Sequence, residues 1–229
     1  MGKSMYFFNF ADLKRPKMKR RHPIEELIAQ GEHQQLDFKF EVSDSKKIAR
    51  TLSAFANTDG GRLLIGVKDN GAIAGVRSDE EYYMIEAASK MYTRPEVPFE
   101  AKRWDMNGKT VLEVYIAPSA DRPHTAPDKD DQYKAYIRVA DENILANEVL
   151  VMAWKKRKRP EGTLLQINES VERLFDWLET HPSISIKQFC RLAHINYFVA
   201  RNILSDLLAM GTLEYVVVDK KIAYRRIAS

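Results

Sequence analysis

Apolar positions in the first two thirds of the chain change period repeatedly. Ile24 to Ala29 and Ser45 to Ala56 carry helical spacing, while Arg62 to Val67, Val111 to Ala117 and Ala135 to Val139 are short apolar runs that predict strands. The first domain is therefore expected to be mixed α/β. Asn57-Thr-Asp-Gly60-Gly61 ends the second helix with residues tolerant of positive φ. Asp69-Asn70-Gly71 reads as a turn returning the chain into a further strand near Ala72.

The pattern is different after Trp154. The run Lys155-Lys-Arg-Lys-Arg159 followed by Pro160 and Gly162 predicts a linker over 153–163. Beyond it, Val171, Leu174, Phe175 and Leu178 mark an amphipathic helix within Ile167 to Thr180. Ser185 caps a short helix through Leu192, and Asn196 caps a longer one through Met210 that stops at Gly211. Thr212 to Val218 and Ile222 to Arg226 flank Asp219-Lys220-Lys221 as a hairpin. Three helices and a hairpin predict a small winged helix-turn-helix domain over 164–229. On its third helix Val199, Ile203, Leu204, Leu207 and Leu208 are expected inside. Tyr197, Arg201 and Ser205 would then face a DNA major groove, with Lys220 and Lys221 on the backbone. Protein docking or dimerisation through such a domain is the alternative.

Length and composition admit this division. The chain has 229 residues, 45% hydrophobic and 30% charged, and one cysteine, Cys190. That excludes an internal disulfide framework and a cysteine-cluster metal site, and a reducing cytoplasm is expected. No apolar run approaches the ~18 residues of a membrane span, so no membrane partner is expected. The net charge of +4 is unevenly spread. Residues 1–21 form a basic arm with seven basic residues against Asp12, and the 22–154 segment carries 16 basic against 23 acidic residues. The arm and the run at Lys155, Lys156 and Arg157 are candidate phosphate contacts. The arm also holds Tyr6, Phe7, Phe8 and Phe10, an unusual concentration of aromatic side chains for a free tail. The histidines at 22, 33, 124, 181 and 194 lack zinc-ligand spacing, and no nucleophile elbow accompanies a serine.

One block is more specific than any of these. Glu32-His-Gln-Gln-Leu-Asp37-Phe38-Lys39 is followed by Ser53-Ala-Phe-Ala-Asn-Thr-Asp-Gly-Gly61 and by Leu63-Leu-Ile-Gly-Val-Lys-Asp69-Asn-Gly71. Ile116-Ala-Pro-Ser119, Arg122-Pro-His124 and Tyr136-Ile-Arg138-Val complete it. Over most of residues 22–152 this order resembles the Schlafen AlbA-like domain, described as DNA-binding and also labelled a divergent ATPase domain. Bacterial members often append a helix-turn-helix and are described as transcriptional regulators. The resemblance implies an α+β protein, an AlbA-like domain followed by a winged helix, that binds duplex DNA and forms a homodimer. Related vertebrate Schlafen domains are endoribonucleases acting on transfer and ribosomal RNA through three carboxylates. Those positions fall here on Glu32, Asp37 and Asp69, with Lys39 beside them as a nucleic-acid contact, and such a set would hold Mg²⁺ or Mn²⁺. Asp37 departs from the family's usual glutamate, withdrawing its carboxylate by about one ångström. Each acid also has an ordinary reading, as a strand-edge residue, a partner of Lys39 and a turn opener. ATP is not expected, because no Gly-Lys-Ser/Thr follows Gly60-Gly61.

Overall fold

The computed structural model describes residues 22–227; the basic arm expected over 1–21 lies outside the described residues. The first domain is organised around one buried helix. After α1 (Pro23–Ile28) and β1 (Leu36–Lys39), α2 (Ser45–Asn57) starts at Asp44, whose carboxylate accepts from the amides of Lys46 and Lys47. Its residues from Ile48 onward are almost entirely buried. β2 (Gly61–Ile65) lies parallel to β1, with α2 as the crossover. After α3 (Glu80–Tyr92) come β3 (Glu100–Met106) and β4 (Lys109–Ile116), giving an antiparallel extension in the order β1-β2-β4-β3. A second sheet, β5 (Thr125–Pro127), β6 (Tyr133–Val139) and β7 (Glu142–Leu145), closes over the opposite side of α2. The core joins Leu52 and Phe55 of α2 to Leu63, Ile65, Val114 and Ile116 of the first sheet and Tyr136 of the second.

The Asn-Thr-Asp-Gly-Gly block has a steric explanation. At Gly60 φ is +70°, and a Cβ would lie 2.6 Å from the carbonyl oxygen of Ile116; at Gly61 one would lie 2.5 Å from the Phe55 ring. Both positions exclude side chains. Asn57, fully buried, donates to the carbonyls of His124 (2.8 Å) and Tyr136 (2.9 Å) and accepts from the His124 amide (2.8 Å). One amide thus ties the end of α2 to both β5 and β6. The turn at Asp69 leads to a single bridge, Val67 to Ile73, instead of the expected strand. A Cβ on Gly66 would lie 2.8 Å from the Gly75 carbonyl carbon, so the two backbones approach there too closely for a side chain at position 66, and the segment folds on itself.

The linker expected over 153–163 begins inside a helix. α4 (Glu148–Arg157) takes up the first part of the basic run, with Asn147 as its cap. Asparagine capping and the three basic residues in its last turn both favour a helix end here, so the charge block that reads as a linker is helix C-terminal chemistry. Then follow α5 (Glu169–Thr180), α6 (Ile186–Ala193) and α7 (Tyr197–Ala209), capped by Asn168, Ser185 and Asn196, and the hairpin of β8 (Leu213–Val218) and β9 (Lys221–Arg226). Ile184 bridges to Tyr224. The three helices and hairpin expected from the sequence are present. α4 packs along α7, placing Val149 and Ala153 in one apolar cluster with Leu204, Leu207 and Leu208. Tyr215 and Ile222 of the hairpin pack against Ala135, Ile137, Leu150 and Trp154. Among the described residues no helix is long and apolar enough to cross a membrane.

Candidate nucleic-acid interface

Two of the three candidate acids meet. Asp37, on β1 and buried, points into a cluster in which Arg138 of β6 donates to its Oδ1 at 3.0 Å. The same guanidinium reaches the carbonyls of Leu36 (3.3 Å), His33 (3.4 Å) and Ala140 (3.1 Å) and the Asn143 side-chain oxygen (3.2 Å). Lys39 places its ammonium 2.8 Å from Asp37 Oδ2, an ionic contact without hydrogen-bond alignment, while donating to the Phe38 carbonyl. Glu32 accepts from the Phe38 amide at 2.8 Å and lies near enough to Asp37 for the two carboxylates to repel. Burial and the neighbouring Asp37 charge hold the Glu32 carboxyl above its ordinary range, against the opposing Phe38 amide.

Asp69 is exposed at its turn, and no group of three His, Cys, Asp or Glu side chains among the described residues could hold a metal ion. Asp37 is moreover already held by two cations. The residues present therefore do not fit the Mg²⁺ or Mn²⁺ site that the three carboxylates implied. The sequence reading missed Arg138 as the partner that commits Asp37, because 101 residues separate the two.

Lys39 leads from this cluster into a cleft of about 550 Å³ between the start of α2 and the second sheet. Its cationic lining is Lys39, Lys47, Arg50 and Lys129, facing Glu41, Asp44 and Asp128. Arg50 donates to the Pro127 carbonyl at 2.7 Å and pairs with no carboxylate among the described residues. Next in the chain to the lining residues Lys39 and Glu41, Phe40 is 39% exposed, with the Lys68 ammonium 5.5 Å and the Arg77 guanidinium 5.7 Å over its ring centre, Arg77 also lying 3.6 Å from the Glu41 carboxylate. A base that displaced one of these cations from the ring could stack there with its phosphate beside the other. Only Lys39 of this set was named from the sequence. Lys68 and Arg77 bracket the Asp-Asn-Gly turn, which was the available signal.

The candidates in the second half are differently placed. Ser205 is fully buried, a correction to its expected outward position, and accepts from Lys156 at 2.8 Å. Lys156 is itself buried and pairs with Asp206 at 2.6 Å, so it is withheld from any phosphate. Arg157 donates to the carbonyls of Leu208 (2.6 Å) and Ala209 (3.3 Å) at the end of α7. Arg201 pairs with Glu148 at 2.9 Å and Lys220 with Glu142 at 2.8 Å. Lys155, Tyr197 and Lys221 are exposed, as is Val199, which the helical period had placed inside. For Ser205, Lys156, Arg157 and Arg201 the cause is α4. It covers the α7 face that carries Ser205 and Asp206, a tertiary contact that periodicity within one helix does not reveal.

Among comparisons with known proteins, the family match falls on the first domain. No curated protein matches the chain. Among solved structures, the DIP2311 protein from Corynebacterium diphtheriae is similar, with 20% identity and a TM-score of 0.45 over 67% of this chain and 33% of that one. The chain thus spans a third of that protein's length. The N-terminal domain of a Nitrosomonas europaea protein described as related to the ATP-dependent DNA helicase RecG is 22% identical, with a TM-score of 0.35 over 56% of this chain and 96% of that one. The family described as Schlafen, AlbA_2 matches residues 32–147, the span from Glu32 to the cap of α4 that includes the carboxylate cluster, the cleft and Phe40. The chain belongs to the Schlafen AlbA_2 family.

Proposed function

We propose that this protein binds nucleic acid along the face built from Phe40, Lys68, Arg77 and the Lys39–Lys47–Arg50–Lys129 cleft, and that it serves as a DNA-binding transcriptional regulator. Membership of the Schlafen AlbA_2 family supports a nucleic-acid-related role. The observation that carries the reading is the partly exposed Phe40 ring with Lys68 and Arg77 over it, next in the chain to Lys39 and Glu41 of a cation-lined cleft. Cations supply affinity without sequence preference, and the ring supplies a stacking surface.

In this reading the second half is a winged helix that contributes as a docked unit. Its nominated readers Arg201 and Lys220 are engaged by Glu148 and Glu142, and Ser205 is buried. Reading of duplex DNA by the Ser205 and Asp206 face of α7 requires α4 to move off it, whereas Tyr197, Phe198 and Val199 at the start of α7 are exposed. The test is fluorescence anisotropy with labelled single-stranded DNA, duplex DNA and transfer RNA. Phe40→Ala is expected to weaken binding by about 1–3 kcal/mol, or roughly 5- to 150-fold, for a strand with unpaired bases. Arg201→Ala is expected to leave it within about twofold. Equal losses in both variants on duplex DNA would transfer the interface to α7, and unchanged affinity in Phe40→Ala would overturn the proposed face.

A further inference from the structure

A second concentration of positive charge lies where the two halves meet, away from Phe40. The loop after β4 and the end of α4 enclose a cleft of about 230 Å³ lined by Ser119, Ala120, Arg122, Trp154, Arg157 and Lys158. Three of these six side chains are cationic. Arg122 donates to the Thr58 carbonyl at 2.6 Å, but its Nε is buried with no hydrogen-bond partner, and no carboxylate lies within 4.0 Å of its guanidinium among the described residues. Arg157 donates from Nε and Nη2 to the α7 carbonyls, which leaves Nη1 free of them, and it pairs with no carboxylate among the described residues. Among the described residues Lys158 pairs only with Asp121, 3.6 Å away with an 82% exposed side chain.

A half-buried guanidinium with an orphaned donor beside two further cations is costly unless an anion completes it. Elsewhere the chain supplies such partners, as Asp37 does for Arg138 and Asp206 for Lys156. Burial holds Arg122 below its ordinary pKa against the opposing Tyr215 and Asp59, with the Arg157 charge adding least. Burial likewise lowers His124, with Lys158 and Arg122 adding to it and the Pro95 carbonyl and Asp121 opposing.

We infer that this cleft is a binding site for a phosphate group, held by Arg122, Arg157 and Lys158 at the junction of the two halves. Guanidinium forks match phosphate oxygens, and the Nε of Arg122 is a donor that no group among the described residues uses. Because Arg157 also holds the end of α7, an occupied site would join the loop at Ser119–Arg122, α4 and α7. The phosphate is either free, as inorganic phosphate or on a small molecule, or part of a nucleic-acid backbone.

Isothermal calorimetry of the full chain with inorganic phosphate, against chloride at matched ionic strength, tests the site. Saturable phosphate binding is expected, weakened at least tenfold by Lys158→Glu and by Arg122→Gln, which keeps a donor for the Thr58 carbonyl. Lys221→Glu, the same charge change on the exposed hairpin, is expected to leave it unchanged. Melting curves of each variant establish that the fold is intact. Displacement of phosphate by a twelve-residue oligothymidylate would assign the site to a nucleic-acid backbone. Simultaneous binding of both would assign it to free phosphate, and either result supports the site. Absence of phosphate binding beyond the chloride control, or equal weakening in Lys221→Glu, would overturn it.

Discussion

Removing Arg138 is the sharpest perturbation of the first domain. Its side chain is 1% exposed and that of its partner Asp37 4%, so neither charge is screened by water. Arg138→Met strips Asp37 of its aligned donor and leaves the His33, Leu36 and Ala140 carbonyls without this partner. Breaking a buried pair in this way costs about 3–5 kcal/mol. Lys39 remains 2.8 Å from Asp37 and offsets part of that, which places the expectation near the lower end, about 3 kcal/mol. For a chain of this size that is a fall in Tm of about 6–12 °C. Urea unfolding followed by tryptophan fluorescence and circular dichroism measures it, two probes being needed because two halves need not unfold together. The double variant Asp37→Leu, Arg138→Met is expected to lose less than the two singles summed, by about 1–3 kcal/mol. A loss below about 1 kcal/mol in Arg138→Met, or strict additivity, would refute the claim that this pair fastens the second sheet to β1.

Much of the fold was legible because its signals were local. The α2 pattern, the Asn-Thr-Asp-Gly-Gly stop and the caps at Ser185 and Asn196 all act within one turn of chain, and each stands where it was expected. β1 and α3 escaped because their apolar positions are interrupted, β1 by the buried Asp37 and α3 by a mostly half-exposed face. The site was less legible for a related reason. Glu32, Asp37 and Lys39 are neighbours in sequence and do meet, but Arg138 and the cleft residue Lys129 arrive from far along the chain. Ser205 and Lys156 read as solvent-facing because the pairing of α4 with α7 has no signature in either helix alone.

Further predictions address other joints. Asn57→Ala leaves the buried His124 amide without its acceptor and the Tyr136 carbonyl without this donor, while Ser53 Oγ still donates to the His124 carbonyl, and should cost about 2–4 kcal/mol in urea unfolding. Lys156→Met should destabilise the α4–α7 contact by about 1–3 kcal/mol, with part of the loss recovered when Asp206→Leu is added, as read by a double-mutant cycle. His124 is buried, its ring nitrogens 2.9 Å from the Pro95 carbonyl and 2.7 Å from Ser119 Oγ, and burial lowers its pKa from 6.5. The unfolded chain therefore takes up the proton first, and stability should fall as pH drops below about 6.5 until the folded His124 also titrates. His124→Asn should flatten that slope in melting curves recorded between pH 7 and 5, and an unchanged slope would count against a buried neutral imidazole.

The salt dependence of binding tests the central claim most directly, because it counts phosphates neutralised at the proposed face. Log affinity for an unpaired strand should fall linearly with log salt, and Lys47→Ala and Lys129→Ala should each reduce the slope by about 0.7, the contribution of one phosphate contact. Lys221→Ala on the hairpin should leave the slope as it is. If Lys221→Ala flattens the slope while Lys47→Ala and Lys129→Ala do not, the nucleic acid lies on the hairpin and the account of the AlbA-like face is contradicted.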